Sequence, residues 1–203
     1  MILVIDYGVG NVGSIRKMLL KGGIEDVLIS GSQEDLERAE KLVLPGVGSF
    51  DDAMSRLRAS GLVPALERRV LEDGVPVLGI CLGMHMLGRS SEEGVLPGLG
   101  WIDAETVRLE APEGFRVPHI GWNAVSASNG SPLFAEITPE DRFYFLHSYE
   151  IRCDDSAEVS AESEYGRRFT CAVRRGNLHG VQFHPEKSHG AGRRLLSSFA
   201  RET

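Results

Sequence analysis

Cys81 sits in Gly79-Ile80-Cys81-Leu82-Gly83, after the apolar run Val75 to Ile80 and before a helical stretch that reaches about Leu87. G-x-C-x-G is the thiol counterpart of the G-x-S-x-G nucleophile elbow. A sharp strand-to-helix turn crowds its neighbours, so the positions on both sides of the nucleophile must be small. A helix start beneath the sulfur also favours the reactive thiolate. Spacing alone leaves two readings open, a packing cysteine and a nucleophile. A base is available in Val181-Gln182-Phe183-His184-Pro185-Glu186. In an extended segment, residues two apart share a face, so His184 and Glu186 point the same way and Pro185 turns outward. The imidazole can take the thiol proton, while the carboxylate fixes its tautomer and stabilises the imidazolium. Cys81, His184 and Glu186 together make a Cys-His-Glu triad. The third piece is Leu44-Pro45-Gly46-Val47-Gly48-Ser49-Phe50, at the end of another apolar run. Its glycines let backbone N–H groups face a concave site, where Gly48 and Leu82 could stabilise the oxyanion of an acyl-transfer intermediate. PGxG serves equally as a plain turn. Its place at the carboxyl end of a parallel strand favours a site.

The elements that must position these groups follow from hydrophobic patterning. Ile2 to Ile5, Val27 to Ile29, Leu42 to Leu44 and Val75 to Ile80 are short apolar runs of the kind found in strands buried on both faces. Val12, Ile15, Met18 and Leu19 fall at helical spacing before Gly22-Gly23, and Gln33 to Lys41 is a polar stretch of helix formers. The pattern predicts an α/β fold of three layers, a mostly parallel central sheet flanked by helices. From Trp101 to Phe183 short β-rich pieces such as Phe143 to Leu146 and Phe169 to Val173 predict antiparallel strand additions. A last helix is expected from about Gly190 to Ala200, with Leu195, Leu196 and Phe199 on its buried face. No repeat or long linker divides the chain, which reads as one domain, 1–203.

Composition sets the boundaries. The chain has 203 residues, 42% of them hydrophobic and 25% charged, which excludes disordered and coiled-coil classes. Its 29 acidic and 22 basic side chains give a net charge of -7, the reverse of a nucleic-acid binder's balance. The three cysteines, Cys81, Cys153 and Cys171, have no metal-ligand spacing, and their odd number argues against a disulfide framework. No metal is predicted, no membrane partner is expected, and the compartment expected is the cytoplasm.

Gly8, Gly10 and Gly13 spell G-x-G-x-x-G between a strand and a helix, the pattern that brings a pyrophosphate to a helix start. A dinucleotide site also wants an acidic residue at the end of the second strand, but that strand runs into Ser30-Gly31. The glycines therefore read as turn and packing residues, and no cofactor is expected.

Taken together, Gly79 to Met84, the PGVG loop and Gln182 to Ser188 resemble class I glutamine amidotransferases. Within them, Asp6-Tyr7-Gly8-Val9-Gly10-Asn11, Val117-Pro118-His119-Ile120-Gly121-Trp122-Asn123 and Phe145-Leu146-His147-Ser148-Tyr149 resemble the glutaminase subunits of imidazole glycerol phosphate synthases. The resemblance spans the chain. It implies hydrolysis of glutamine through a thioester on Cys81, with His184 as base and Glu186 orienting it. It implies a (β/α)8-barrel cyclase as partner, which uses the ammonia in histidine biosynthesis. Gly46, Val47, His85, His147, Ser148 and Tyr149 would surround the glutamine, and Asn11, Trp122, Asn123 and Lys187 would lie near the cyclase. Where the family carries glutamine after the Gly-Met of the elbow, this chain has His85, whose charge depends on pH. Where an aromatic and a glutamate are usual, it has Gly88-Arg89. A glutaminase serving another synthase and a non-catalytic subunit that stabilises its partner remain alternatives.

Overall fold

A computed structural model of the protein describes residues 1–128 and 130–203. Its centre is an eight-stranded sheet. Strands β1 (Ile2–Ile5), β2 (Val27–Ser30), β3 (Lys41–Gly46) and β4 (Val77–Cys81) come from the first half of the chain. The second half adds β5 (Ser90–Ser91), β6 (Ala104–Arg108), β7 (His119–Asn123), β8 (Ser126–Ala127), β9 (Phe143–His147), β10 (Tyr149–Cys153), β11 (Val159–Glu164), β12 (Arg168–Arg175) and β13 (Leu178–Val181). The large sheet has the order β2-β1-β3-β4-β13-β12-β11-β8, with β10-β6-β5 and β7-β9 forming two small sheets. Neighbours from β2 to β13 are parallel, and β12, β11 and β8 extend the sheet antiparallel.

The helices are α1 (Val12–Lys21), α2 (Gln33–Arg38), α3 (Phe50–Ala59), α4 (Val63–Glu67), α5 (Leu82–Leu87) and α6 (His189–Glu202). The strands of the parallel set are mostly apolar because each face has its own cover, the exceptions being Ser30 and Lys41 at strand ends and the buried His179 in β13. Along β1, Leu3 and Ile5 enter one core with residues of α2, α3, α4 and α5, while Ile2 and Val4 enter a second with Ile15 and Leu19 of α1 and Leu195, Leu196 and Phe199 of α6. That period of two is what makes three layers from one strand. The predicted fold class holds.

Three local expectations differ. The helix expected through Lys41 ends at Arg38, because Lys41 is already paired with Ile2 in the β1–β3 ladder. The last helix is longer than expected at both ends. The segment carrying His184 and Glu186 is not extended: β13 stops at Val181, and Pro185–Lys187 forms a single 3-10 turn. Proline at its first position carries a preset helical φ and no N–H to waste. Among the described residues no helix is long and apolar enough to cross a membrane.

One feature of this topology matters most for chemistry. Gly46 lies beside Cys81 and Val181 beside Ile80, so three loops distant in sequence leave one edge of the sheet from adjacent strands.

Candidate functional site

Cys81 ends β4 at φ 54° and ψ −114°, a backbone conformation that L side chains rarely adopt. Close packing imposes it. A Cβ on Gly83 would overlap the carbonyl oxygen of Leu44, one on Gly79 would lie 2.7 Å from the oxygen of Gly83, and one on Gly46 would lie 2.5 Å from the nitrogen of Gly83. All three obstacles are backbone and cannot swing away. The small residues expected at 79 and 83 are thus explained, and Gly46 proves to be a third of the same kind. Only with glycine at these positions can α5 start against β3 with the buried Cys81 set in the wall of a cavity.

His184 Nδ1 lies 3.0 Å from Glu186 Oε1, and both side chains are buried. Cys81 and His184 line the same cavity, and the nearby sulfur acts on the charge of the ring. The backbone around the histidine is fixed: its N–H donates to the Tyr144 carbonyl at 2.9 Å, and its carbonyl accepts from the Ser188 hydroxyl at 2.6 Å. Burial pulls the imidazole pKa down. The bonds to Cys81 and Glu186 and the charges of both more than offset it, raising the pKa to about 9. The ring is therefore held as an imidazolium beside the Glu186 carboxylate, a form that can donate a proton.

A cavity of about 300 Å³ opens over the sulfur. Val47, Gly48, Leu82, His85, His147, Ser148, Tyr149 and Lys187 line it together with Cys81 and His184. Gly46 does not: its Cα is packed beneath the elbow against Leu82 and Gly83. Arg89 is also elsewhere, paired with Asp154 at 2.7 Å. Among the described residues, no cluster of histidine, cysteine, aspartate and glutamate is arranged to hold a metal ion.

Residues 3–203 match the family model of class-I glutamine amidotransferases. The chain belongs to that family. It is 48% identical over its whole length to the imidazole glycerol phosphate synthase subunit HisH 2 of Methanococcus maripaludis, the alignment covering all of both chains. It is 50% identical to the subunit of the same name from Pseudomonas aeruginosa, with 98% of each chain covered. Among solved structures, a crystal structure of a glutamine amidotransferase aligns with TM-score 0.74 at 21% identity, covering 98% of each chain. The structure of PurLQS from Thermotoga maritima aligns at 0.70 and 19%, covering 98% of this chain and 96% of that one. These two show likeness of fold.

The amidotransferase carries site residues that spacing did not announce. Glu93, Pro118 and Leu146 also line the cavity. Glu93 is drawn there by accepting the N–H of Phe50 at 3.0 Å, a tertiary contact 43 residues long. Burial raises its pKa, the Phe50 N–H opposes this, and Asp51 adds to it. Gln182, fully buried, places its amide nitrogen 3.9 Å from the Cys81 sulfur and its carbonyl oxygen 2.8 Å from His85 Nε2. Burial lowers the His85 pKa to about 4 against the opposing bond to Gln182. His85 is thus neutral near pH 7, its Nε2–H aims the Gln182 carbonyl, and the amide N–H is left facing the sulfur. The pH-dependent charge expected at His85 is moved well into acid. The run Gln182 to Ser188 was the signal for Gln182; nothing in the sequence marked Glu93.

The opening glycine loop serves the same site. Gly8 and Gly10 have φ of 84° and 104°, and a Cβ on Gly10 would come within 2.7 Å of the Pro45 ring. Tyr7 donates its hydroxyl to the Pro45 carbonyl at 2.6 Å. The loop buttresses the PGVG segment, whereas Gly13 faces open space and is neither a turn nor a packing glycine. Of the residues expected near a partner, Trp122 is 44% exposed and stacks on His189 with centroids 5.2 Å apart. Lys187 lies over the ring of Tyr144 at the cavity rim. Asn11 is half-buried at the start of α1. Asn123 turns its amide inward, to the Glu164 carbonyl at 2.8 Å and to His119.

Proposed function

We propose that residues 1–203 act as one glutamine amidotransferase domain, the glutaminase subunit of an imidazole glycerol phosphate synthase. It hydrolyses glutamine and hands the ammonia to a (β/α)8-barrel cyclase subunit that makes imidazole glycerol phosphate and an aminoimidazole carboxamide ribotide. The observation that carries this reading is the line of Cys81, His184 and Glu186 at the floor of a cavity of glutamine size. The Cys81 thiolate attacks the carboxamide carbon, and the oxyanion takes N–H donors from Leu82 and Gly48. His184 gives its proton to the departing nitrogen, which leaves as ammonia, and the γ-glutamyl thioester remains. Water then adds, His184 takes its proton, and glutamate leaves with the thiolate restored. Glu186 holds the ring and its charge throughout. Glu93 is the carboxylate in the cavity suited to the substrate's α-ammonium, and the segment His147 to Tyr149 forms the facing wall.

The relatives are named as synthase subunits, so action as part of a complex is their common property. The exposed apolar side chains Val47 and Leu146 line the cavity, Ile120 and Trp122 continue the surface across the β7–β9 ladder, and together they fit a protein partner. Free ammonia in water would be protonated and lost, so turnover should wait for a docked, loaded cyclase, with the PGVG loop completing the oxyanion hole at that moment. The free thiols Cys81, Cys153 and Cys171 fit a reducing cytoplasm.

The test is reconstitution with a candidate barrel cyclase subunit. Glutamate release should need that subunit and its substrate, and Cys81→Ala should abolish synthesis from glutamine while sparing synthesis from ammonium salts. A Cys81→Ala complex that still uses glutamine refutes the thioester, and a chain that never joins the cyclase refutes the pathway.

A further inference from the structure

A second run of polar side chains lies behind the cavity wall, outside the cysteine, histidine and glutamate line. His119, the first residue of β7, is 1% exposed and stacks between Phe145 (centroids 5.0 Å, 20°) and Tyr165 (4.0 Å, 23°). Its Nδ1 is 2.9 Å from His147 Nε2. His147 Nδ1 is 2.8 Å from the Tyr149 carbonyl oxygen. At the other end, Asn123 Nδ2 is 3.2 Å from His119 Nε2 and 2.8 Å from the Glu164 carbonyl oxygen.

The protons follow by elimination from the carbonyl end. A carbonyl oxygen only accepts, so His147 carries its hydrogen on Nδ1. A neutral imidazole has one N–H, so His147 Nε2 is a lone pair and takes the Nδ1–H of His119. That leaves His119 Nε2 as an acceptor, served by one hydrogen of Asn123, whose other hydrogen goes to Glu164. Each donor is used once and each ring nitrogen is matched. Protonating either ring would set two N–H groups against each other. Burial holds both rings neutral: His119 is lowered to about 4, and His147 to about 3, where the Tyr149 bond opposes burial and the charges of His119, His85 and His184 assist it.

The two ends of this run have different duties. On β7, alternation puts His119 and Asn123 on the inner face and the exposed Ile120 and Trp122 on the outer one. His147, Ser148 and Tyr149 line the cavity. We infer that His119 is a positioning residue: with Asn123 it locks His147 in the Nδ1–H tautomer, fixes the His147-Ser148-Tyr149 wall, and makes the position of β7 felt where substrate binds. This rests on the reading of that cavity as the glutamine site.

Nitrogen NMR of the histidine-labelled full chain near pH 7 reads the tautomers directly. Two rings in the Nδ1–H form, the one a free neutral imidazole disfavours, are expected. His119→Phe keeps a ring between Phe145 and Tyr165 and removes both bonds. In the complex it should raise the glutamine KM about tenfold, the worth of roughly one net hydrogen bond, and leave kcat within about twofold. His119→Gln, which can again donate to His147, should recover much of the loss. Either ring in the Nε2–H form in the parent protein, or an unchanged KM in folded His119→Phe, overturns the inference. The tautomer readout needs no turnover, so its failure is distinguishable from failure of the glutaminase reading.

Discussion

Replacing Glu186 by glutamine removes the charge and puts an amide nitrogen where the buried Oε2 has no hydrogen-bond partner among the described residues. The amide oxygen can take the same hydrogen from His184 Nδ1 that Oε1 takes now at 3.0 Å. What disappears is the attraction between carboxylate and imidazolium. His184 stands at about 9 because the bonds to Cys81 and Glu186 and the charges of both outweigh burial, and the Glu186 charge is the smallest of these contributions. Its loss should lower the histidine by about one unit, or about 1.4 kcal/mol, with Cys81 still holding it above the ordinary value. The sign is fixed by the direction of the shift: a raised histidine pKa stabilises the folded chain fully below about 6.5 and loses that effect as pH rises through about 9. The parent enzyme, assayed for glutamate release in the saturated complex, should keep kcat/KM up to about pH 9. Glu186→Gln should lose it about one pH unit lower, falling roughly fivefold below the parent at about pH 9 as the imidazolium is depleted. Thermal unfolding should separate the two proteins near neutral pH and bring them together in strong alkali. An alkaline limb that stays near 9 in the variant, with activity within about threefold of the parent, would show that the carboxylate does not charge this histidine.

Other consequences are simpler to measure. Gly83→Ala drives a methyl into the Leu44 carbonyl, which should cost about 1–3 kcal/mol and lower Tm by roughly 2–4 °C for each, with glutaminase activity lost as Leu82 and Cys81 move; a normal melt with normal turnover contradicts the close approach. His85→Leu removes the donor that aims Gln182, freeing its carbonyl to turn toward the sulfur, so kcat should drop about tenfold, whereas His85→Gln should preserve it within about threefold; equal kcat in both variants refutes the aiming role. His85, His119, His147 and His179 are all held neutral by burial, their pKa values lowered to about 3 or 4. The unfolded chain therefore binds more protons than the folded one between about pH 6.5 and 4, and stability should fall with pH there by up to about 1.4 kcal/mol per unit for each ring. Denaturant midpoints that stay flat from about pH 7 to 5 would refute that burial.

The parts of this protein visible in its sequence are those where one physical constraint acts alone. Ile2 to Ile5 and Val77 to Ile80 read as buried strands because both faces meet cores, and a continuous apolar run has few other uses. Gly79 and Gly83 were legible because a nucleophile elbow cannot tolerate Cβ atoms beside it. Strand order was not legible. Nothing local says that β13 inserts between β4 and β12, yet that insertion sets His184 beside Cys81, 103 positions away. The meeting of His184 with Glu186 was expected from an extended chain and occurs through a 3-10 turn, since Pro185 favours helical φ and the ring contact needs only that the two side chains converge. Glu93 and the inward turn of Asn123 depend on partners 43 and 41 residues away, and no periodicity encodes them.

The PGVG segment shows why residue type alone could not assign its movement. Its glycines look equivalent in sequence, but their surroundings are opposite. Gly46 is clamped: its Cα rests on Gly83 and Leu82, and the carbonyl just before it is held by Tyr7. Any rotation there would pry α5 from β3 and disturb the elbow. Gly48 stands at φ 92° with no atom within 4 Å of where a Cβ would be, next to Val47, which is 43% exposed. Reorienting a peptide plane around Val47 and Gly48 therefore disturbs little packing, and glycine's freedom on both sides of φ keeps the torsional cost small. A partner seated on the cavity mouth touches the movable end of the segment and not the clamped one. The switching proposed for the oxyanion donors Gly48 and Leu82 therefore requires movement around Val47 and Gly48 and none at Gly46, so the proposed triad could stay assembled while the chain waits for a partner.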